Sequence, residues 1–222
     1  MSNETSKTKK IWTDSEVKYL IGNGIDIGCG KDPVFDTVQP FDLEHGDANR
    51  ISEYIKEPKD FVFSSHCLEH MKDPYLALKE WFKILKPGGY LFILVPDEDL
   101  YEQGVFPSRF NSDHKWTFTI SKSKSWSSKS INILELISTV DAKLISLKLQ
   151  DHNFDYAIYS HRSSYWSRKM WKWFKRTSRL FRDTQFEVVW SRLFYYLGAC
   201  FDQTSMGGSR LSQIQFILQK QN

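Results

Sequence analysis

The heptapeptide GIDIGCG, residues 24–30, joins an apolar strand to a tight glycine turn. Glycine allows the sharp turn through unusual backbone dihedrals, and it lets the backbone approach a ligand that a side chain would block. A Gly-x-Gly turn also closes ordinary strand-to-helix junctions. The stretch therefore indicates a nucleotide-cofactor pocket only together with the segments that follow it.

Composition suits a globular enzyme with one core, because the 222 residues are 41% hydrophobic, 15% aromatic and 26% charged. The net charge of +3 by itself identifies no partner. Cys29, Cys67 and Cys200 are far apart, so we expect neither a disulfide framework nor a zinc site, and a reducing cytoplasm as the location. Residues 1–12 are predicted to form a disordered tail before a single domain over 13–222, with no membrane-spanning segment.

Strand-like and helix-like runs alternate through the first hundred residues, which is typical of a parallel sheet with crossover helices. A helix is predicted to open at Asp73-Pro74 and to stop at Pro87-Gly88-Gly89. The predicted strands are Tyr19–Ile27, Thr37–Leu43, Phe61–Ser65 and Tyr90–Val95. We therefore expect a Rossmann-like, doubly wound, mostly parallel sheet.

The carboxyl half departs from this alternation. Residues Ile131–Val140 are predicted to be helical, and Ala142–Leu149 is predicted to pair as an antiparallel hairpin strand with Gln213–Gln219. Between these two strands lies a predicted helical insertion, at about 157–206.

Within the insertion, residues 162–182 carry eight basic side chains and no acid. If residues 162–182 are helical, their apolar side chains share one broad face and most of the cations lie on the other sides of the helix. This pattern predicts a basic amphipathic helix. The cations are Arg162, Arg168, Lys169, Lys172, Lys175, Arg176, Arg179 and Arg182, and the apolar face is Trp166, Met170, Trp173, Phe174 and Phe181. Three roles stay open: a lid on its own domain, contact with a membrane or lipid-linked substrate, and, least favoured, nucleic-acid binding.

The order and spacing of these pieces resemble the class I S-adenosylmethionine-dependent methyltransferases. In Phe61–Pro96 the segments FVFSSHCLEH, DPYLALKEWFKILKPGG and YLFILVP follow one another as in the small-molecule branch, the methyltransferase type 11-like proteins. Residues 95–118, VPDEDLYEQGVFPSRFNSDHKWTF, resemble a bacterial subgroup associated with surface-polysaccharide synthesis. The resemblance implies S-adenosylmethionine as cofactor and O-methylation of a sugar or glycan precursor, in the cytoplasm or at the periphery of the inner membrane.

Residues at the strand ends match the family's cofactor positions. The glycine turn would meet the methionyl part, Asp42 would accept from the ribose hydroxyls, and Asp47 would accept from the adenine amino group. The full set of cofactor-binding candidates is Asp26, Gly28, Cys29, Gly30, Asp42, Asp47, Ala48, Ser65 and His66. Both Asp42 and Asp47 also suit turns. The sequence departs from the family in two places. Lys31-Asp32-Pro33 stands where a third glycine often lies, and only sixteen steps separate Asp26 from Asp42, which leaves little room for a crossover helix.

An oxygen acceptor gains from a general base, and His114 in the polar loop beyond the fourth strand is the candidate, against the alternative of a structural hydrogen bond. Glu69 and His70 are predicted to support the following helix. The candidates for binding the acceptor are Asp97, Asp99, Tyr101, Arg109 and Asn111. A further polar group, at 151–156, lacks a second histidine at ligand spacing, and no metal site is predicted.

The same residues disfavour two other functions. An oxidoreductase is disfavoured because the chain has no Gly-x-Gly-x-x-Gly. Residues Ser64-Ser65-His66-Cys67 replace the Asp/Asn-Pro-Pro-aromatic tetrad of base-modifying enzymes, which disfavours DNA adenine methylation. Two alternatives remain: another small-molecule O- or N-methyltransferase, and a non-catalytic membrane- or partner-binding protein that keeps the fold.

Overall fold

A six-stranded sheet forms the centre of the computed structural model, which describes residues 4–159 and 165–221. The strand order is β2-β1-β3-β4-β8-β7; β1 to β4 are parallel, and β8 is antiparallel to both β4 and β7. A separate parallel pair, β5 and β6, was not predicted. The strands are β1 (Gly24–Ile27), β2 (Gln39–Phe41), β3 (Lys59–Ser65), β4 (Leu85–Pro96), β5 (Thr117–Thr119), β6 (Ser130–Asn132), β7 (Ala142–Gln150) and β8 (Gln213–Lys220).

Helices cover this sheet and build the insertion. They are α1 (Glu4–Lys9), α2 (Asp14–Val17), α3 (Pro74–Lys83), α4 (Ile133–Ile137), α5 (Tyr165–Thr177) and α6 (Gln185–Tyr196). The predicted Rossmann-like fold, with its antiparallel C-terminal hairpin strand and helical insertion, is confirmed. In residues 28–38, all of which the structure describes, no helix joins β1 to β2, which agrees with the short spacing noted in the sequence.

The start of α3 is set by Asp73, whose carboxylate accepts the backbone N–H groups of Tyr75 and Leu76 at 2.9 and 3.1 Å. The helix ends at Lys83, before the predicted stop. Residues 87–89 lie inside β4 instead, where the pairing with β3 shifts register. The extra residues form an irregular, bulge-like segment, and a side chain at Gly89 would meet the backbone oxygen of Asp60 at 2.9 Å.

Apolar side chains pack on both faces of the sheet. On one face Trp81 of α3 is fully buried, and its indole N–H donates to the Ala48 carbonyl at 2.8 Å. On the other face the rings of Phe63 and Phe92 pack with Trp12. The sheet is therefore held on both sides, and the polar strand ends are left for the site.

The amino terminus differs from the disordered tail predicted over 1–12, because residues 4–9 form α1 against the domain. The backbone N–H of Ser6 donates to the Asp32 carboxylate at 2.9 Å, and the buried Thr8 hydroxyl accepts from the Gln213 side chain at 2.8 Å. These long-range contacts fix a segment whose composition alone favours disorder.

The insertion forms a core of its own, in which Met170, Trp171 and Phe174 of α5 pack with Phe194 of α6. This arrangement corrects the predicted apolar face: Trp171 is buried, whereas Trp166 and Trp173 are 56% and 61% exposed. The predicted single helix over 162–182 is also interrupted, since α5 ends at Thr177. Arg162 lies outside the described residues.

Candidate active site

The glycine turn after β1 lies where the strand order reverses. In such sheets ligands bind in the crevice beyond the carboxyl ends of the strands. Gly28 and Gly30 have φ of 77° and 55°, and a side-chain carbon at Gly28 would lie 2.6 Å from the Cys67 sulfur. Glycine is thus required at this turn, and the backbone borders the crevice directly.

Asp26 is buried inside β1 and ties the turn to the sheet. One carboxylate oxygen accepts the backbone N–H of Val34 at 2.7 Å, and the other has no hydrogen-bond partner among the described residues. Burial raises the pKa of Asp26 to about 7. The side chain therefore positions the turn, and its second oxygen has no partner in the described part of the chain and can meet a ligand.

Asp42 follows β2 immediately and reaches the glycine turn. Its carboxylate accepts the backbone N–H of Gly30 at 2.8 Å and of Leu43 at 2.7 Å. The side chain is half-buried, so it stands at the edge of the crevice with acceptor capacity remaining. The structure brings Asp42 beside Gly30, and ribose binding stays a prediction.

Asp47 caps a short 3₁₀ turn, Ala48–Glu53, by accepting the backbone N–H of Asn49 at 2.9 Å and its side-chain amide at 2.7 Å. These two hydrogen bonds hold the pKa of Asp47 below its usual value. The turn-forming role weighed for this residue is thus present in the structure. Its contact with adenine, and that of Ala48, stay predictions.

Three further cofactor candidates lie at the ends of β1 and β3. The Ser65 hydroxyl is buried with no hydrogen-bond partner in the described part of the chain. His66 follows with the left-handed φ of 53°, and one of its ring nitrogens lies 2.8 Å from the Gln213 amide oxygen. Burial raises the pKa of the Cys29 thiol to about 11, so this thiol stays protonated at neutral pH.

These groups fit S-adenosylmethionine at the carboxyl edge of the sheet. The buried oxygens of Asp26 and Ser65, which have no partner in the described segments, suit an ammonium and a polar ligand group, and the Asp42 carboxylate suits hydroxyls. The backbone N–H groups of Gly28 and Gly30 donate within the protein, to the Phe41 carbonyl at 2.7 Å and to the Asp42 carboxylate at 2.8 Å, and thereby fix the shape of the turn.

Beyond β3, Glu69, His70 and His114 bring their side chains together from two distant segments. We name these three residues the histidine–glutamate cluster. The Nε2 atoms of His114 and His70 lie 3.8 and 3.9 Å from Oε1 of Glu69. Nδ1 of His114 lies 2.7 Å from the Glu102 carboxylate, and Nδ1 of His70 lies 3.1 Å from the backbone oxygen of Asp113. Each imidazole is thus oriented by a hydrogen bond at Nδ1, the ring nitrogen that points away from Glu69.

Charge in this cluster is balanced between buried groups. Burial alone would raise the pKa of Glu69, but His66, His114 and His70 hold it below its usual value. Burial would likewise lower the pKa of His66, but the Glu69 carboxylate, 3.6 Å from Nδ1, raises it to about 9. The carboxylate of Glu69 is therefore ionised although its side chain is fully buried.

A cavity of about 850 Å³ opens beside the cluster. His66 and Tyr101 line it together with the cluster, and the Tyr101 ring lies 5.3 Å from that of His114. Helix α5 and the residues around it supply the facing wall, which carries cations together with the acids Glu4, Asp183, Glu187 and Asp202. The cations on this wall and its surroundings are Lys7, Lys10, Lys175, Arg179 and Arg182. The insertion thus forms a side of the cavity, as a lid would.

The structure separates the predicted acceptor-binding residues into two groups. Tyr101 and Asn111 line the cavity. Asp97 instead caps a short π-helical turn, and Asp99 accepts the Trp126 indole N–H at 3.0 Å. Arg109 donates to the Gln103 carbonyl at 2.9 Å. These last three are not among the residues that line the cavity, and their role in acceptor binding stays a prediction.

The sequence predicted only a supporting role for Glu69 and His70 and did not pair Glu102 with His114. The motif Leu68-Glu69-His70 was visible, but its partner His114 lies 44 positions further along the chain. A short signal of this kind acquires chemical meaning only when the fold brings the two segments together.

The doubly wound sheet, the glycine turn and the acidic side chains at its carboxyl edge are features expected of the class of S-adenosylmethionine-dependent methyltransferases. Residues 7–189 match a family model described as "Methyltransferase domain". This match covers more than half of the 222 residues, and the chain therefore belongs to the methyltransferase domain family. It is an enzyme, and S-adenosylmethionine is its cofactor.

Solved structures share this fold. A candidate sarcosine dimethylglycine methyltransferase from Galdieria sulphuraria has a TM-score of 0.50 at 12% identity, with 98% of this chain and 85% of that chain covered. A SAM-dependent methyltransferase from Archaeoglobus fulgidus has a TM-score of 0.50 at 14% identity, with 99% and 95% covered. At such identities the likeness shows the fold alone. A search of curated proteins finds no sequence match.

Within the described residues, no helix is both long and apolar enough to cross a membrane.

The raised pKa of Asp26 predicts a pH-dependent cost to stability. Replacing Asp26 with asparagine should raise the free energy of unfolding at pH 8. The difference in unfolding free energy between the variant and the parent should increase by about 2–3 kcal/mol from pH 5 to pH 7, because each pH unit contributes about 1.4 kcal/mol. The folded protein holds the proton up to about pH 7, whereas the unfolded chain releases it near 3.8, so stability falls as pH rises between these values. Asparagine has no proton to lose and still accepts from Val34.

Urea unfolding without cofactor, at pH 5 and pH 8, measures this effect. The exposed Asp36→Asn serves as the control and should show no pH-dependent gain. An Asp26→Asn protein whose stability tracks the parent at both pH values would show that the carboxylate is not destabilised by burial.

Proposed function

We propose that this methyltransferase acts on a hydroxyl oxygen of a sugar or other glycan precursor that carries an anionic group. The observation that carries the proposal is the cavity, which has the histidine–glutamate cluster on one side and cations on the other. When bound, S-adenosylmethionine supplies the electrophilic methyl group.

The cluster side suits a hydroxyl. A hydroxyl is a poor nucleophile while protonated, so its proton must be removed or its oxygen polarised. The Nε2 atom of His114 faces the Glu69 carboxylate at 3.8 Å, while Glu102 receives the opposite ring nitrogen. This orientation leaves an imidazole nitrogen inside the site, available to a hydroxyl by direct proton transfer or through a bound cation.

The cationic side suits a phosphate or carboxylate on the same molecule. Among the described residues, Lys10, Lys175 and Arg179 have no acid within ion-pair distance, although each lines the cavity. Arg and Lys bind phosphate oxygens through charge-assisted hydrogen bonds. A phosphorylated sugar or a sugar nucleotide would present an anion to this side and a hydroxyl to the cluster.

An amine acceptor is the alternative within the same class, because the candidate sarcosine dimethylglycine methyltransferase shares this fold. The fold therefore does not decide between oxygen and nitrogen. An anionic acceptor is favoured over an ammonium by Lys10, Lys175 and Arg179, which line the cavity without an ion-pair partner in the described part of the chain and could pair with the anion.

Calorimetric titration tests the class first, with S-adenosylmethionine, its demethylated product and NADH measured separately. Saturable binding of the first two without NADH supports the proposal, and methyl transfer is then assayed with sugar nucleotides, the same sugars without phosphate, and amines. A preference for the unphosphorylated sugars or the amines would overturn the acceptor class. If no nucleotide ligand binds, a non-catalytic protein that keeps the fold becomes the better description.

A lipid-linked acceptor would bring the enzyme to an anionic membrane surface, and the insertion carries exposed apolar side chains suited to it. Trp173 and Phe186 are 61% and 68% exposed, and Lys169 and Lys172 are exposed on α5. Replacing Trp173 and Phe186 together with alanine should reduce co-sedimentation with anionic liposomes several-fold. Trp171 is unsuitable for this test because it is buried.

The matched control is Leu76→Ala, which removes an exposed apolar side chain from α3 outside the insertion. Equal sedimentation of the double variant and the parent, or no sedimentation of the parent, would reject the membrane contact. The proposal of a soluble anionic acceptor would then stand alone.

A further inference from the structure

Glu69 presents an unusual carboxylate. Its side chain is fully buried, yet neither oxygen has a hydrogen-bond partner within the described parts of the chain. A buried carboxylate without partners costs several kcal/mol, so such groups are normally paired or bound to a metal. One of them, Oε1, instead lies 3.6 to 3.9 Å from ring nitrogens of His66, His70 and His114.

The hydrogen bonds on the far side of each ring decide what these nitrogens offer. Nδ1 of His70 lies 3.1 Å from a backbone carbonyl, which can only accept, so Nδ1 carries the proton and Nε2 has the lone pair. Nδ1 of His114 donates in the same way to the Glu102 carboxylate at 2.7 Å. In the neutral rings, both Nε2 lone pairs therefore face the Glu69 carboxylate.

His66 is oriented by the same logic. The Gln213 side-chain amide donates to Thr8 and to Gln150, so its oxygen faces Nε2 of His66 and receives a proton from it. A second proton on His66 would neutralise the negative charge of Glu69. The Nε2 lone pairs of His70 and His114 would still face the Glu69 carboxylate, which also can only accept a hydrogen bond. A cation among these atoms removes that conflict.

We propose that the histidine–glutamate cluster is a binding site for a divalent transition ion, of the Zn²⁺, Fe²⁺ or Mn²⁺ kind. The ligands are the Glu69 carboxylate and Nε2 of His70 and His114, whose ligand atoms lie within 4.8 Å of one another. Imidazole nitrogens with one carboxylate favour these ions over Mg²⁺ or Ca²⁺.

The geometry supports such an ion. Bond lengths of about 2.0–2.2 Å place neighbouring tetrahedral ligand atoms about 3.4 Å apart. The distances of 3.8 and 3.9 Å exceed this by about half an ångström, which small side-chain rotations can remove. Glu102 and the Asp113 carbonyl already occupy the outer positions that orient metal-bound histidines. The cavity leaves room for a further ligand from solvent or substrate.

One consequence rests on the proposed function. An acceptor hydroxyl that enters the cavity would coordinate the ion, which lowers the hydroxyl pKa so that its proton passes to water. His114 would then act as a ligand rather than as the general base expected from the sequence. Binding of the ion itself does not depend on which acceptor the enzyme uses.

The test uses the full chain without a polyhistidine tag, stripped with EDTA and dialysed. Calorimetric titration with Zn²⁺ should show one equivalent bound, and Co²⁺ should give visible absorption bands typical of nitrogen and oxygen ligation. Glu69→Gln and His70→Gln should each weaken Zn²⁺ binding by at least about a hundredfold. The exposed His152→Gln is the matched control and should bind as the parent does.

His70→Gln guards against misfolding of the more buried Glu69 variant, because its side chain is 30% exposed. Circular dichroism checks both variants. No Zn²⁺ binding by the parent, or equal binding by parent and His70→Gln, would overturn the ion site. Titration of the same samples with S-adenosylmethionine separates the two proposals: cofactor binding without Zn²⁺ overturns only the ion site, and Zn²⁺ binding without cofactor overturns only the methyltransferase reaction.

Discussion

Replacing His114 with alanine should reduce turnover by about 10²–10⁴-fold, while the affinity for S-adenosylmethionine stays within about twofold of the parent. The imidazole lies in the cavity and is held on one side by Glu102, 2.7 Å away, and on the other by Glu69. Whether its nitrogen takes the proton or holds an ion, an acceptor hydroxyl would lose its activation. Single-turnover assays with saturating cofactor measure the loss.

His152→Ala is the control, because His152 is an exposed histidine outside the cavity lining. Glu102→Gln adds a graded test. The amide oxygen can still accept from the imidazole, but the negative charge is gone, and we expect a loss of about 10–100-fold. Turnover of His114→Ala within threefold of the parent would remove His114 from the reaction, and the hydroxyl would have to be activated elsewhere.

Replacing Asp42 with alanine should weaken S-adenosylmethionine binding by about thirtyfold or more, equivalent to about 2 kcal/mol or more. The carboxylate holds the Gly30 N–H at 2.8 Å and stands at the crevice edge, where the resemblance expects it to accept from the ribose. Its loss would remove the ligand contact and loosen the glycine turn. Calorimetric titration measures the affinity, and thermal unfolding checks that the fold is kept.

Asp36→Ala removes an exposed carboxylate from the same β1–β2 connection and is expected to leave affinity unchanged. Asp42→Asn separates the two contributions, since its amide oxygen can keep the Gly30 contact without the charge. Cofactor affinity equal to that of the parent in Asp42→Ala would exclude Asp42 from the ribose site, even though the turn contact is present.

Local signals in the sequence were sufficient for much of the framework. The glycine turn and the start of α3 were predicted because capping, periodicity and turn chemistry act between residues close in sequence. Pro87-Gly88-Gly89 shows the limit of such signals. Proline and glycine usually stop a helix, but here a bulge in β4 accommodates them, because the paired strand β3 supplies a matching register shift.

Contacts between distant segments decided the insertion. A helical wheel gave Trp173 to the apolar face and left Trp171 outside it, whereas the structure buries Trp171 against Phe110, Phe174 and Phe201. The buried side of α5 is selected by the surface on which it packs, and this surface is built from other parts of the chain. Amphipathic spacing alone cannot identify that surface.

The sequence by itself determined the class of this protein: a cofactor-binding sheet with Asp26, Gly28 and Asp42 at its strand ends, because those positions depend on short spacings. Only the tertiary structure decided the reactive side. Glu69 and His70 lie far along the chain from Glu102 and His114, and no local rule links them. The fold buries Glu69 without a hydrogen-bond partner among the described residues and turns imidazole nitrogens towards it, which is the arrangement on which the proposed ion site rests.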